Sequence, residues 1–365
     1  MKYVKKIKLD NAPKMKISLL VACFNEEKSL RKSIRSCLNQ TRKFDEMIYV
    51  DDSSTDKTPV ILNKYSVNPK YSNFLKAVRT PRNTGNKSSA QEFGLQFITG
   101  DIFVVTDADT FLDKHFVKEI EKSFVDNAGA AAVAGYVRSL PYNWLTLCRS
   151  FEYTIGQKVH KQAEYFMSYI FVIPGAASAF RSDIFRENVS FDHDTITEDL
   201  DFTYKLHEKN FKIFYNSKAV IYTQDPIDLK NYINQTRRWF GGGWQNLIKH
   251  WNSIPESPMR SFEISLIYGE GVVFSVVFLI IPFINLWVEL LFLVGYFVIT
   301  SLFAIWAART ERRPSIMLVP FVYILLLYIN AYIYLEQFYL EIILRKKNLK
   351  WFKPDRFIFK SKIFK

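Results

Sequence analysis

The sequence predicts a doubly wound, mostly parallel α/β sheet followed by interfacial and transmembrane helices. Three observations predict it. From Ile17 onward short apolar runs alternate with amphipathic stretches at helical spacing. Acid-rich clusters stand where those runs end: Asn25-Glu26, Asp51-Asp52-Ser53, Asp107-Ala108-Asp109 and Thr197-Glu198-Asp199. After Leu266 the composition turns to long apolar, aromatic-rich segments.

The elements follow in order. Residues 17–22 read as a buried strand, and 27–40 as a helix with Leu30, Ile34 and Leu38 on one face. Residues 47–50 form a second strand ending at Asp51-Asp52. Ser54-Thr55-Asp56 then supplies the N-cap of a helix running towards Tyr65. Residues 74–78 are a third strand, 83–86 a turn and 87–97 a helix. Residues 102–105 are a fourth strand ending at Asp107-Ala108-Asp109, and 130–136 a fifth. Strand and helix alternating at this pitch require right-handed crossovers and a mostly parallel, Rossmann-like sheet. Such sheets bind ligands at the carboxyl ends of their strands, so the acid pairs at 51–52 and 107–109 are expected on one rim.

Beyond Trp144 the pattern becomes more helical. Residues 172–181 form a small-residue segment, with Gly175 and Ala176, that lets a ligand approach the backbone. Thr197-Glu198-Asp199 opens a helix carrying Leu200, Tyr204 and Leu206, which sets two carboxylates at its positive end. Residues 228–251 mix Tyr232, Trp239, Trp244 and Trp251 with Arg237, Arg238, Lys249 and His250, a composition suited to a helix in the headgroup layer. Residues 266–282, 286–307 and 317–344 are long enough to cross a bilayer at ~20 residues per crossing. The third carries Asn330, Glu336, Gln337 and Glu341, and three crossings would place the basic tail opposite the catalytic domain, against the positive-inside rule. Either the tail is an exception, or one segment, the first or the third, is interfacial or re-entrant, which leaves two or three transmembrane segments; a cytosolic tail is expected. The organisation is a basic N-terminal segment (1–16), a cytosolic catalytic domain (17–225), an interfacial region (226–262), a membrane region (263–344) and a basic tail (345–365).

Bulk composition agrees. Hydrophobic residues make up 48% and aromatic residues 16% of 365 residues, high for a soluble domain. The net charge of +13 is concentrated at the two ends, which fits an anionic membrane surface and an anionic substrate. No nucleic-acid-binding motif lies between them. Cys23, Cys37 and Cys148 are odd in number and scattered, which excludes a Cys-x-x-Cys zinc site and a disulfide framework. The apolar run at 17–24 is too short for the core of a signal peptide, and nothing before it is long enough to span a membrane.

The acids define the chemistry. Clustered carboxylates repel one another unless a cation sits among them. A nucleotide-sugar diphosphate needs its charge neutralised as it leaves, and Mg²⁺ or Mn²⁺ held by one or two carboxylates does this. Asp107 and Asp109 form such a pair. An attacking acceptor hydroxyl must lose a proton, and Asp199 is the candidate base, with Glu198 beside it. Gln235, Arg238 and Trp239 supply a cation for the leaving diphosphate and a flat face for a sugar. Each cluster alone has a plainer reading, as a solvated turn, a compensated helix end or a membrane-surface helix. All of them in this order do not.

On these residues the sequence resembles the processive family-2 inverting glycosyltransferases, the group of cellulose, chitin, hyaluronan and poly-N-acetylglucosamine synthases, from Ile17 to Trp251 and more loosely beyond. The resemblance implies that Asp51 and Asp52 meet the uridine of a UDP-sugar and that Ala22, Phe24, Asn25 and Glu26 form the first nucleotide loop, with Cys23 at a variable place. It implies that Lys87 is a basic donor contact after Asn83-x-Gly85, and that Asp107, Ala108 and Asp109 hold the diphosphate and metal. Asp199 is implied as the base. Gln235, Arg238 and Trp239 are implied at the donor–acceptor junction, with Thr197, Glu198, Gly175 and Ala176 on the acceptor side. Residues 350–356 are similar to a tail motif of the poly-N-acetylglucosamine branch, with Pro354 and Asp355 as departures. The expected enzyme is a hexosyltransferase integral to the cell membrane with a cytosolic catalytic domain. It transfers sugar in β-linkage to a growing glycan, or alternatively a single sugar to a polyprenyl phosphate or other lipid-linked acceptor. The short membrane part makes a complete polymer channel from one protomer unexpected, so a homo-oligomer or an export partner would complete it.

Overall fold

The structure, a computed structural model, describes residues 15–256 and 258–349. The basic N-terminal segment and most of the tail, including the motif at 350–356, lie outside the described residues. Eight strands form one sheet: β1 (Ile17–Cys23), β2 (Glu46–Asp51), β3 (Leu75–Arg79), β4 (Ile102–Asp107), β5 (Phe111–Leu112), β6 (Ala130–Ser139), β7 (Ser178–Arg181) and β8 (Lys212–Thr223). Their order is β3-β2-β1-β4-β7-β6-β8-β5. β1 to β4 are parallel, as their alternation with helices requires. β7 runs antiparallel to both β4 and β6, β8 is parallel to β6, and β5 is antiparallel to β8, so the sheet is mixed. β1, β2 and β4 are buried almost throughout, which explains their near-continuous apolar sequences. Two apolar clusters cover the faces of the sheet, one centred on Leu19, Tyr49 and Val104, the other on Leu20, Phe103 and Phe185. Cys23, Cys37 and Cys148 are buried free thiols.

Register places the acids. Ala22 lies opposite Asp107, and Cys23 opposite Asp51, so the ends of β1, β2 and β4 share one rim. β7 and β8 went unrecognised in the sequence: β7 is four residues of a small-residue segment, and β8 lacks clean alternation. The helix after β2 starts at Thr58 rather than at 54–56. Asp56 instead accepts from the Thr58 and Glu27 N–H groups, 2.8 and 3.0 Å away.

Three helices are long and apolar enough to cross a membrane: Ser261–Ile284, Leu286–Thr310 and Pro320–Ile343. Asn285 caps the second of them, accepting from the Trp287 and Val288 N–H groups. Phe283 is 90% and Trp287 78% exposed, a density of bare apolar surface that requires lipid or a partner to cover it. The polar residues of the third helix face the protein. Asn330 accepts from the Tyr232 hydroxyl at 2.9 Å, Glu336 takes the Arg237 fork at 2.6 and 2.8 Å, and Glu341 accepts from Gln245 at 2.9 Å. All three partners sit on the helix Leu229–Lys249. That helix, expected to lie in the headgroup layer, is packed between the third apolar helix and the helix Glu198–Glu208. Two of its basic residues, Arg237 and Lys249, pair with protein carboxylates. The loop after the second apolar helix is bound to β6 of the sheet, where Glu311 pairs with Arg138 and accepts from Tyr136.

Candidate functional site

The site begins where β1 and β2 end. Asn25 and Ser53 both adopt left-handed backbone conformations, φ 52° each, which turns the two chains away from the sheet. The Asn25 side chain accepts from the Thr55 N–H at 2.8 Å, and its own N–H donates to Ser54 Oγ at 3.0 Å. Glu26 accepts from the Ser29 hydroxyl at 2.7 Å. Asp51 pairs with Arg79 and accepts from the Ser54 N–H at 3.0 Å. Asp52 gathers the following loop: it accepts from Thr80 Oγ1 at 2.9 Å, Asn83 Nδ2 at 3.1 Å, and both the N–H (3.0 Å) and the hydroxyl (2.9 Å) of Thr84. That loop ends at Asn86, whose side chain caps the helix bearing Lys87.

The second half lies beyond β4. The Lys87 ammonium stands 2.6 Å from Asp107 Oδ1, 3.4 Å from Glu198 Oε1 and 3.3 Å from the Gly175 carbonyl. Burial alone would lower its pKa, but Asp107 and Glu198 hold it well above the ordinary lysine value. Gly175 is required by close approach: a Cβ there would sit 3.1 Å from Asp199 Oδ2 and 3.3 Å from Lys87 Nζ. Its N–H donates to Asp199 Oδ2 at 3.0 Å, while the Leu200 N–H donates to Oδ1 at 3.0 Å. Burial, then the neighbouring Glu198 carboxylate, push Asp199 up to about 6, against the opposing pull of Lys87 and these two N–H groups. The helix Glu198–Glu208 is braced from behind. Gly242 abuts the Thr197 side chain, where a Cβ would come within 2.4 Å, and Asn246 donates to Thr197 Oγ1 at 2.9 Å.

A single cavity of about 750 Å³ joins these parts. It is lined at one end by Ala22, Phe24, Glu26 and Asp52, in the middle by Lys87, Asp107, Ala108, Asp109, Gly175, Ala176, Thr197, Glu198 and Asp199, and further on by Gln235, Arg238 and Trp239. It reaches Ile267, Tyr268 and Tyr334 of the apolar helices. Two predicted residues are not in its wall, Asn25 and Asp51: the Asn25 side chain is bonded to the turn after β2, and Asp51 to that turn and to Arg79 of β3. Tyr153, Gln157, His160, Lys161 and Glu164 also line it and were missed; they come from a helix whose continuity breaks in a π-turn at Gly156–His160. The signal was present as Gln157, Lys158, His160, Lys161, Gln162 and Glu164, a polar and charged run inside a helical stretch.

Asp107 and Asp109 offer hard carboxylate oxygens facing one cavity, a donor set that suits Mg²⁺ or Mn²⁺. Asp192, Asp194 and Asp201 bring carboxylate oxygens within 4.8 Å of one another, but none of the three lines the cavity. Lys249 reaches all three within 2.8 Å, and Lys205 and His250 add further contacts to Asp201, so that cluster is neutralised by protein cations.

Similarity to known proteins accords with this geometry. Residues 18–188 match the family described as Glycosyl transferase family 2. The chain is 26% identical over 369 residues to a protein of Bacillus subtilis (strain 168) named "Probable glycosyltransferase YdaM", covering 94% of this chain and 87% of that one. It is 27% identical over 240 residues to the poly-beta-1,6-N-acetyl-D-glucosamine synthase of Staphylococcus epidermidis, covering 65% of this chain and 57% of the synthase. The alignment with the Staphylococcus aureus (strain COL) synthase gives 24% identity, 70% and 61%. The chain thus spans less than two thirds of the length of these synthases. Among solved structures, the mannosyltransferase PcManGT from Pyrobaculum calidifontis, in complex with GDP-Man and Mn²⁺, superposes with a TM-score of 0.58 over 72% of this chain and 73% of that one, at 21% identity, which shows a shared fold. The mixed sheet with its acid-lined rim is a glycosyltransferase fold, and the chain carries a glycosyltransferase domain of family 2.

Proposed function

We propose that this chain is a membrane-bound inverting glycosyltransferase. It transfers a sugar from a UDP-sugar to a growing polysaccharide, in β-linkage, at the cytosolic membrane face. The observation that carries the reading is the one cavity that Asp52, Lys87, Asp109, Asp199 and Trp239 share and that extends to the apolar helices. The nucleotide lies by Ala22, Phe24 and Asp52, and the diphosphate by Lys87, Asp107 and Asp109. Asp107 and Asp109 would hold a divalent cation, which would neutralise charge on the leaving diphosphate. Arg238 supplies a second positive group there. Asp199 accepts the proton of the acceptor hydroxyl while that oxygen attacks the anomeric carbon from the face opposite the diphosphate, which inverts the configuration. The Gly175 and Leu200 N–H groups hold the base in place, Glu198 contacts the acceptor or holds the helix end, and Trp239 gives the acceptor sugar a stacking face. Assaying a panel of UDP-sugars for UDP release, with product size read by mass spectrometry and anomeric configuration by NMR, tests the reading. A product of α-configuration contradicts it.

The opening of the cavity onto Ile267, Tyr268 and Tyr334 also suits transfer of one sugar to a lipid acceptor. Products of a single added sugar on lipid would select that reading, and long chains the first.

The base assignment fixes a pH dependence. The active form is the carboxylate, so a pKa of about 6 makes kcat/KM level above pH 6 and falling by about tenfold per unit below it. An acid limb near pH 4, where an unperturbed aspartate would titrate, contradicts the assignment.

The third apolar helix is bonded near its start, where Tyr323 donates to Glu152 of the catalytic domain at 3.0 Å, and near its end, where Glu341 accepts from Gln245 of the helix Leu229–Lys249 at 2.9 Å. A helix bound at both ends lies along the domain instead of leaving it for the far side. The tail after Leu344 is therefore expected on the catalytic side, and a reporter fused after Lys365 is active in the cytosol. Activity only on the outer face contradicts this topology.

A further inference from the structure

Arg149 sits in the helix Trp144–Ile155, is 7% exposed, and has no part in the chemistry above. Three aromatic rings surround its guanidinium: Trp239 at 4.6 Å, Tyr153 at 5.2 Å and Tyr232 at 5.5 Å from the ring centroids. Its charge is balanced by Glu152, to which it donates, and by Asp225 at 3.7 Å. Glu152 in turn accepts from Tyr323, and Tyr232 donates to Asn330, both on the third apolar helix. Trp239, Tyr153 and Asp225 line the cavity.

A buried arginine needs partners for its charge, and two carboxylates suffice. They do not explain why the guanidinium carbon stands within 5.5 Å of three ring centroids. A half-buried tryptophan can rotate about its side-chain bonds, whereas a stacking platform needs one fixed plane. A flat cation against the indole supplies that restraint, and lysine cannot reproduce it.

We propose that Arg149 is a positioning residue that fixes the indole plane of Trp239 for the acceptor sugar and anchors that plane to the third apolar helix. This rests on Trp239 being the acceptor platform. In Arg149→Lys the charge stays and the planar contact is lost. The acceptor KM rises roughly three- to tenfold, the scale of one cation–π contact, while the donor KM stays at the wild-type value. In a Trp239→Leu background the same substitution has no further effect on the acceptor KM, which an arginine serving only the fold would not produce. Hydroxyl-radical footprinting read at the Trp239 peptide gives a second measurement independent of turnover: oxidation of Trp239 rises in Arg149→Lys relative to the other tryptophans. Unchanged Trp239 oxidation, or an equal KM effect with and without the indole, overturns the proposal. A wild-type enzyme that transfers sugar to no acceptor would defeat the functional reading instead, and the footprint would still decide the role of Arg149.

Discussion

Asp199→Asn abolishes sugar transfer while leaving the donor site intact. The substitution is nearly isosteric, and the Asn Oδ1 can keep one of the two bonds, from the Gly175 or the Leu200 N–H, so the base helix stays in place. What is lost is the lone pair that takes the acceptor proton. General-base contributions of about 10²–10⁴ set the expected fall in kcat. Glu198 does not replace it, because its carboxylate faces the Lys87 ammonium at 3.4 Å and lacks the two backbone donors that aim Asp199. Transfer rate and UDP affinity, the latter by calorimetry, separate the two roles. The account requires a collapsed rate with unchanged UDP binding; a rate equal to wild type removes the base assignment.

Asp109→Ala removes metal-dependent donor binding. Asp109 is 2% exposed at the end of the β4 segment, on the rim where the diphosphate is placed. Outer-shell partners of a metal are already worth roughly 10–100-fold in affinity, so loss of a direct carboxylate is expected to cost on the order of 10²-fold or more. Mn²⁺-dependent UDP binding, measured in the presence and absence of a chelator, reads the effect. The informative control is Asp194→Ala, in the lysine-neutralised cluster, which leaves the metal dependence as in the wild type. Full metal-dependent activity in Asp109→Ala, or its loss in Asp194→Ala, contradicts the placement of the cation.

The first half of the fold was legible because its strands are buried on both faces and separated by amphipathic helices, so period and punctuation agree. The acids at 52, 107 and 109 were legible for the same reason: strand ends in a parallel sheet share a rim. Legibility failed where tertiary pairing decides. β7 is four residues long and exists by pairing with β4 and β6, and a partner strand leaves no periodic trace in so short a segment. Asp51 and Asp52 are indistinguishable in sequence, yet one pairs with Arg79 and the other lines the cavity, as consecutive side chains at a strand end point to opposite sides. The helix Leu229–Lys249 shows the same limit in reverse. Its mixture of aromatic and basic residues fits a lipid headgroup layer by composition, but Glu336, Asp192, Asp194 and Asp201 claim Arg237 and Lys249. Composition reports what a side chain can bind, not which partner reaches it first.

The claim on which the rest depends is that Asp52, Asp109 and Asp199 surround one UDP–metal unit beside the apolar helices. Anomalous diffraction from crystals grown with UDP and Mn²⁺ tests it most directly. The account predicts a manganese peak in coordination contact with Asp109, with the uracil end towards Phe24 and Asp52 and the β-phosphate towards Lys87. A manganese peak at Asp192, Asp194 and Asp201, or UDP bound outside the cavity that holds Asp199, would contradict it.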